Sequence, residues 1–200
     1  MDGEDKTARR EAMEAVAGKI AADLAALRED IASCSLCRGG GRGLPGAGRL
    51  GARLYLLAGR PGPGASPRNP WGGWWDALGG EMRRRWGWKE EDIYLATALR
   101  CPLGRVTGRD IRLCAPYLAE ELMLLGPRVV LACGKAAAVA LREALGQAMP
   151  EQPHAGDVCS LYATSFVFQF DVSRLEKERD LWDPFWRIVE RCDGMLRGRG

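Results

Sequence analysis

The sequence has no long apolar stretch. Residues 1–5 are charged, and no apolar run in the 200 residues approaches the length that spans a bilayer. We therefore expect no secretory signal peptide, no membrane partner and a cytoplasmic location. A cytoplasmic location in turn argues against a disulfide framework for the seven cysteines.

Histidine and lysine are scarce. His154 is the only histidine, and a lone histidine in a loop with proline and glycine is commonly solvated, so we expect no catalytic role for it. Five of the 29 basic residues are lysines, and the net charge is +3. This charge permits phosphate binding without demonstrating it. A hydrophobic content of 46% with 28% charged residues is ordinary for a globular chain, so we expect one domain over residues 1–200.

Four cysteines have a spacing that is typical of a metal site. They are Cys34, Cys37, Cys101 and Cys114, in the pattern C-x2-C, 63 residues, C-x12-C. Structural zinc prefers two close pairs, whereas iron–sulfur clusters accept scattered thiolates, so the spacing favours a cluster and leaves zinc and no metal open. The remaining cysteines are expected to pack as small apolar side chains: Cys133, Cys159 and Cys192.

The hydrophobic pattern predicts alternating helices and strands. Apolar side chains at steps of three and four predict an amphipathic helix over residues 7–32, within an amino-terminal segment 1–33 that leads to the cysteine pair. The glycine-rich residues 39–48 are a linker or a phosphate-contacting loop. Strands are predicted at 54–58, 92–99, 128–133 and 158–170, and further helices at 74–86, 109–125, 135–145 and 175–191. The fold class is therefore α/β, a single domain with a mostly parallel, four-stranded central sheet flanked by helices.

Five ordered motifs carry a resemblance to a known family. They are C-S-L-C at 34–37, L-P-G-A-G at 44–48, R-C-P at 100–102, L-C-A-P-Y-L at 113–118 and P-R-V-V-L-A-C-G-K-A-A at 127–137. Together they resemble the iron–sulfur uracil-DNA glycosylases, often called family 4. The resemblance implies a 4Fe-4S cluster bound by the four cysteines, a doubly wound fold and a crevice that faces DNA.

The sequence departs from the family where the chemistry is expected. Gly59 replaces the acid of the first motif and Arg60 follows it, Trp71 replaces the stacking phenylalanine, and Thr97 replaces an asparagine. The family's H-P-S loop is replaced by residues 169–173. The resemblance places these residues in the base pocket: Gly59, Pro61, Gly62, Trp71 and Thr97. It places these residues against DNA: Pro45, Gly46, Gly48, Ser173 and Arg174.

Three residues are candidates for the chemistry. Cleavage of a pyrimidine's glycosidic bond leaves negative charge on O2 of the base, and Gln169 or Arg60 could donate to that oxygen. Asp171 could favour a cationic sugar and orient a water molecule. Asp171 could equally be a turn residue or a helix cap, and Arg60 could bind phosphate or face solvent.

The sequence predicts a hydrolase, a monomeric DNA glycosylase that flips a base from single- or double-stranded DNA and hydrolyses its N-glycosidic bond. Its substrate would be uracil or a modified pyrimidine, including a bulky modified cytosine, in base-excision repair or against foreign DNA. The first alternative is a catalytically inactive iron–sulfur relative that binds DNA. The second is a zinc-stabilised binding module unrelated to repair.

Overall fold

The structure is a computed structural model that describes residues 3–37, 43–103 and 106–198. Residues 39–42 of the predicted glycine-rich loop lie outside the described residues. The helices are α1 (Gly3–Ser33), α2 (Gly73–Trp86), α3 (Gly108–Leu125), α4 (Lys135–Leu145) and α5 (Trp182–Leu196). The strands are β1 (Leu54–Ala58), β2 (Ile93–Thr97), β3 (Val129–Cys133), β4 (Val158–Leu161) and β5 (Thr164–Gln169).

The sheet has five strands in the order β2-β1-β3-β5-β4, and the prediction of four strands is wrong. The first four strands in this order are parallel, whereas β4 pairs antiparallel with β5. The predicted strand over 158–170 is in fact this hairpin, because the chain reverses at Tyr162. Tyr162 has a φ of 52° and is 97% exposed. A left-handed tyrosine is uncommon, so hydrophobic pattern alone does not reveal the turn.

Helices cover both faces of the sheet, as predicted. Tyr55 and Leu57 point to a core shared with α1, α3 and α4, whereas Leu54, Leu56 and Ala58 point to a core shared with α2 and α5. Every residue of β1, β2 and β3 is buried. Burial on both faces explains why these strands are continuous apolar runs rather than alternating ones.

The ends of the chain differ from the predictions. In α1 the predicted apolar face is buried only at Leu24, Leu27 and Ile31, and Val16 is 60% exposed. The closing helix begins at Trp182 rather than Leu175, because two short 3-10 turns, Val172–Arg174 and Arg179–Leu181, come first. Among the described residues, no helix is both long enough and apolar enough to cross a membrane.

Candidate functional site

The carboxyl ends of the parallel strands gather most of the candidate residues. The strand register places Thr97, Ala58, Cys133 and Gln169 in one row across the sheet. Gly59 follows Ala58, and Asp171 lies two residues after Gln169. In open α/β sheets this edge carries the ligand crevice, so segments far apart in the sequence meet where a ligand is expected.

Gly59 and Arg60 have opposite environments. Gly59 is buried, and a Cβ atom added there would stand 2.9 Å from the Cβ of Ala136 on α4. The space of the missing acidic side chain is therefore occupied by Ala136. Arg60 is exposed, and its guanidinium forms no hydrogen bond or ion pair with the described residues. It is therefore available to a ligand.

Trp71 is held inside the protein by the loop after β1. It has no exposed surface, and its indole Nε1 donates to the Ala96 carbonyl at 2.8 Å. Gly62 donates from its amide to the Pro70 carbonyl at 3.1 Å, and a Cβ on Gly62 would collide with the Trp71 carbonyl. Pro61 beside it is buried. Stacking of Trp71 on a base stays a prediction, and it would require this loop to move.

Thr97 and Gln169 already use their polar groups inside the fold. The Thr97 hydroxyl is buried and donates to the Leu99 carbonyl at 2.8 Å. The Gln169 amide nitrogen donates to the Phe185 carbonyl at 3.1 Å, and its oxygen accepts from the Phe170 amide at 2.7 Å. Both side chains are therefore fixed in place, and their proposed contacts with a base remain predictions.

Asp171 divides its two carboxylate oxygens between two environments. Oδ1 accepts from the backbone amide of Ser173 at 2.9 Å and from its hydroxyl at 2.7 Å, so Asp171 caps the turn that follows it. A Cβ added at Gly134 would stand 2.8 Å from Oδ2, which places this oxygen at the end of β3. Arg174, at the end of this turn, is exposed and forms a bidentate pair with Glu178 at 2.8 and 2.5 Å.

A cavity of about 260 Å³ opens beside this edge of the sheet. Its lining includes Gln169, Gly134, Lys135 and His154. Lys135 is the first residue of α4, where the helix dipole favours an anion, and sequence reasoning missed it. Its position directly after the end of β3 and Gly134 could have identified it from the sequence. The His154 side chain is 91% exposed, and its Nδ1 lies 3.8 Å from an oxygen of Asp157.

The segment that resembles the family's DNA-contacting loop packs along the open edge of β2. Ala47 forms an antiparallel bridge with Leu95. Pro45 and Gly46 are buried, whereas Gly48 is exposed and accepts a hydrogen bond from Arg28 at 2.8 Å. Of the predicted DNA-contacting residues in this loop, only Gly48 is exposed.

The fold brings the four cysteines together from the segment after α1, the segment after β2, and α3. The thiol of Cys101 forms a hydrogen bond with Cys37 and interacts electrostatically with Cys114 and Cys34. Burial, followed by the charge of Cys37, raises the pKa of Cys101 to about 12. The backbone amide of Arg100 donates to Cys114. Amide donors of this kind stabilise thiolates that bind a metal centre.

Within the described ranges, no group of three or more His, Cys, Asp or Glu side chains is arranged to hold a single metal ion. All seven cysteines are free thiols, and Cys101 interacts with Cys34, Cys37 and Cys114. These four side chains could therefore supply thiolates to a metal centre.

A buried ionic network adjoins the cysteines. Arg100 precedes Cys101, its side chain is 1% exposed, and it pairs with the fully buried Glu121 at 2.8 Å. Glu121 also accepts from the hydroxyl of Tyr94 at 2.9 Å and from that of Tyr55. Burial and the charge of Glu121 raise the pKa of Tyr55 well above its usual value. The network ties β1, β2 and α3 together directly behind the cysteines.

The chain is similar in sequence to known proteins. The sequence profile of the uracil DNA glycosylase superfamily matches residues 42–189. A type-4 uracil-DNA glycosylase of Pyrobaculum aerophilum is 28% identical over 132 residues, an alignment that covers 62% of this chain and 67% of the relative. The profile match begins before β1 and ends within α5, so it includes the candidate residues at the carboxyl ends of the strands.

Proposed function

The chain belongs to the uracil DNA glycosylase superfamily, and we propose that it is a DNA glycosylase that hydrolyses the N-glycosidic bond of a flipped base. The observation that carries this proposal is the extent of the family match, because residues 42–189 include every residue of the crevice. DNA is then the partner, and base-excision repair the setting.

Asp171 is our candidate for the carboxylate near the sugar. Oδ1 is held by Ser173, which fixes the orientation of the side chain and leaves Oδ2 at the end of β3. A fixed carboxylate can stabilise positive charge on the sugar and orient the attacking water. The capping role and the catalytic role are therefore compatible, since each uses a different oxygen.

Arg60 is the candidate donor to the departing base. Its guanidinium is exposed and has no partner among the described residues, whereas the Gln169 amide is committed to Phe185 and Phe170. We assign to Gln169 a positioning role, because its bonds hold the segment that leads to Asp171. Lys135 is a second donor beside the same edge of the sheet.

We propose a pyrimidine as the substrate, either uracil or a modified one. The cavity of about 260 Å³ beside this edge exceeds the volume of one base, although Gln169 is the one residue of its lining that was predicted for the reaction or the base pocket. A bulky modified cytosine gains no room from Gly59, because Ala136 fills the space that a longer side chain would take.

We propose that Cys34, Cys37, Cys101 and Cys114 hold a 4Fe-4S cluster. When bound, the cluster would cross-link the end of α1, the segment after β2, and α3. Its contribution would be structural, since none of the crevice residues above is one of its ligands. Iron and sulfide content of the purified protein, against zinc content, distinguishes this proposal from a zinc site.

The test is release of a free base, measured by mass spectrometry, from oligonucleotides that carry uracil or a modified pyrimidine. Asp171→Asn keeps an oxygen that can cap the turn and removes the charge, so we expect release to fall about 100-fold or more with little change in stability. Arg60→Ala should also lower release, whereas Arg179→Ala, another exposed arginine, should not. Unchanged release by Asp171→Asn would contradict its assigned role.

A catalytically inactive DNA-binding relative is the second candidate. The observation that favours it is that Trp71 and Thr97 have no exposed surface and donate their hydrogen bonds inside the protein. Retained DNA binding with no release of any base would support this alternative and overturn the first.

A further inference from the structure

A second cavity lies outside the crevice, along the open edge of β2. Its volume is about 540 Å³. It is bounded by the segment at residues 47–49, the loop at residues 68–69, α2 and the residues that lead into β2. Neither the four cysteines nor the candidate catalytic residues line it, so the proposed reaction leaves it unexplained.

Trp75 presents an indole to this cavity. The ring lies against the backbone of Gly79, since a Cβ there would stand 2.7 Å from the indole Cε2. Trp75 is partly exposed, and its Nε1 forms no hydrogen bond with the described residues. The Nε1 atoms of other tryptophans have partners, namely those of Trp71, Trp74, Trp88 and Trp182. Trp75, like Trp86, therefore combines a partly exposed ring with a donor that has no partner among the described residues.

The unpaired charges in the lining of this cavity are positive, although the Asp76 carboxylate lies nearby and accepts from the Asn69 amide at 3.4 Å. Arg49 and Arg68 line the cavity and are exposed, and neither guanidinium pairs with any part of the chain that the structure describes. Two glutamates also line it, but both have cationic partners. Glu90 lies 3.5 Å from Arg83, and Glu91 lies 3.6 Å from Lys89. These pairs neutralise the acidic side of the cavity.

A partly exposed indole beside two unpaired guanidinium groups suits a ligand with a flat ring and a phosphate. Bases stack on tryptophan, and arginine binds phosphate oxygens in a bidentate geometry. A paired base has no free face, because its neighbours in the duplex cover it. The ligand chemistry is therefore an unpaired nucleotide rather than a base pair.

We propose that this cavity binds one unpaired nucleotide of the DNA strand, with its base on Trp75 and its phosphate on Arg49 and Arg68. The proposal rests on DNA being the partner of this protein. Gly48, which was predicted to contact DNA, lines the cavity, and the loop of Arg68 also carries Trp71 and Gly62 beside the crevice, so a strand bound at the crevice could reach this cavity. The protein would thus prefer a target with unpaired neighbours.

The test is binding of a labelled single-stranded oligonucleotide that carries no target base, and fluorescence anisotropy measures this binding. Trp75→Ala should weaken binding about 5- to 100-fold, and Trp75→Phe should retain most of the affinity. Arg49→Ala and Arg68→Ala should each reduce the slope of log affinity against log salt concentration by the amount expected for about one phosphate contact. Matched controls are Tyr162→Ala, a 97% exposed aromatic residue, and Arg9→Ala on α1, both outside the cavity lining.

Two further ligands separate stacking from other binding modes. An oligonucleotide of abasic residues should bind wild type and Trp75→Ala equally, because it has no base to stack. A free deoxynucleoside monophosphate should bind far more weakly than the strand. Equal loss in the Trp75→Ala and Tyr162→Ala variants, or tight binding of the free nucleotide, would overturn the proposal. Since no cleavage is measured, a protein that releases no base can still pass this test.

Discussion

The cysteine region and the crevice differ in how closely they follow the family's pattern. At the cysteines, all four positions of the family motifs are present, and the fold brings the thiols together. At the crevice, Gly59 and Thr97 stand where the family has polar side chains. The Thr97 hydroxyl donates to the backbone carbonyl of Leu99. The departures from the family's pattern therefore lie at the crevice rather than at the cysteines.

The two regions also differ in what holds them. Behind the cysteines lies a buried charged network of Arg100 and Glu121, which is costly to disturb. At the crevice the fixed points are hydrogen bonds of Trp71, Thr97 and Asp171 and glycines that permit close approach. A site held by such contacts can change its side chains without loss of the fold. Loss of one partner in the charged network, by contrast, should destabilise the fold.

The largest effect is expected at the cysteines. Cys114→Ala removes one of the four thiols, so we expect iron and sulfide content to fall almost completely and the thermal midpoint to drop. Cys159→Ala is the control, since Cys159 is a partly buried free thiol in β4, outside the set of four. Elemental analysis and thermal unfolding check both. Full iron content in Cys114→Ala would contradict the proposed ligand set.

The next effect is expected in the ionic network. Glu121→Leu leaves Arg100 charged and buried without its partner, so we expect a loss of about 3–5 kcal/mol in the free energy of unfolding, measured in urea. Glu120→Leu, at the neighbouring exposed position of α3, should change it by no more than about 0.5 kcal/mol. The double variant Arg100→Met/Glu121→Leu should be more stable than Glu121→Leu alone. If it is less stable, desolvation of Arg100 is not the cause.

The sequence was sufficient to predict the strands that are buried on both faces. The bounds of β1 were predicted as observed, because a short apolar run between glycines has few other interpretations. The hairpin of β4 and β5 was missed, since its turn depends on the backbone conformation of Tyr162 rather than on glycine or proline. Asp171 was predicted as a possible turn residue or helix cap. It caps the start of the 3-10 turn Val172–Arg174 and not the start of the last helix.

The interior of the candidate site was harder to predict. The sequence gives no sign that the Trp71 indole reaches the Ala96 carbonyl on β2, because the two residues meet only through the tertiary fold. The Glu121 network was also missed, since a glutamate within a helix ordinarily faces solvent. Local pattern predicts which residues are apolar, whereas the partners of a buried polar group depend on chain segments that are distant in sequence.

The smallest effect is expected at Gly134, where the crevice depends on the absence of a side chain. Gly134→Ala would place a Cβ 2.8 Å from Oδ2 of Asp171 in a residue with a φ of +89°. Gly146→Ala is the matched control, because its φ is +70° and no atom lies within 4 Å of the added Cβ. Backbone strain alone should cost each variant about 1–3 kcal/mol in the free energy of unfolding. Only Gly134→Ala should also displace Asp171 and lower base release, and adding Asp171→Ala should recover part of its stability. Equal base release by the two glycine variants would show that the position of Asp171 does not matter to the reaction.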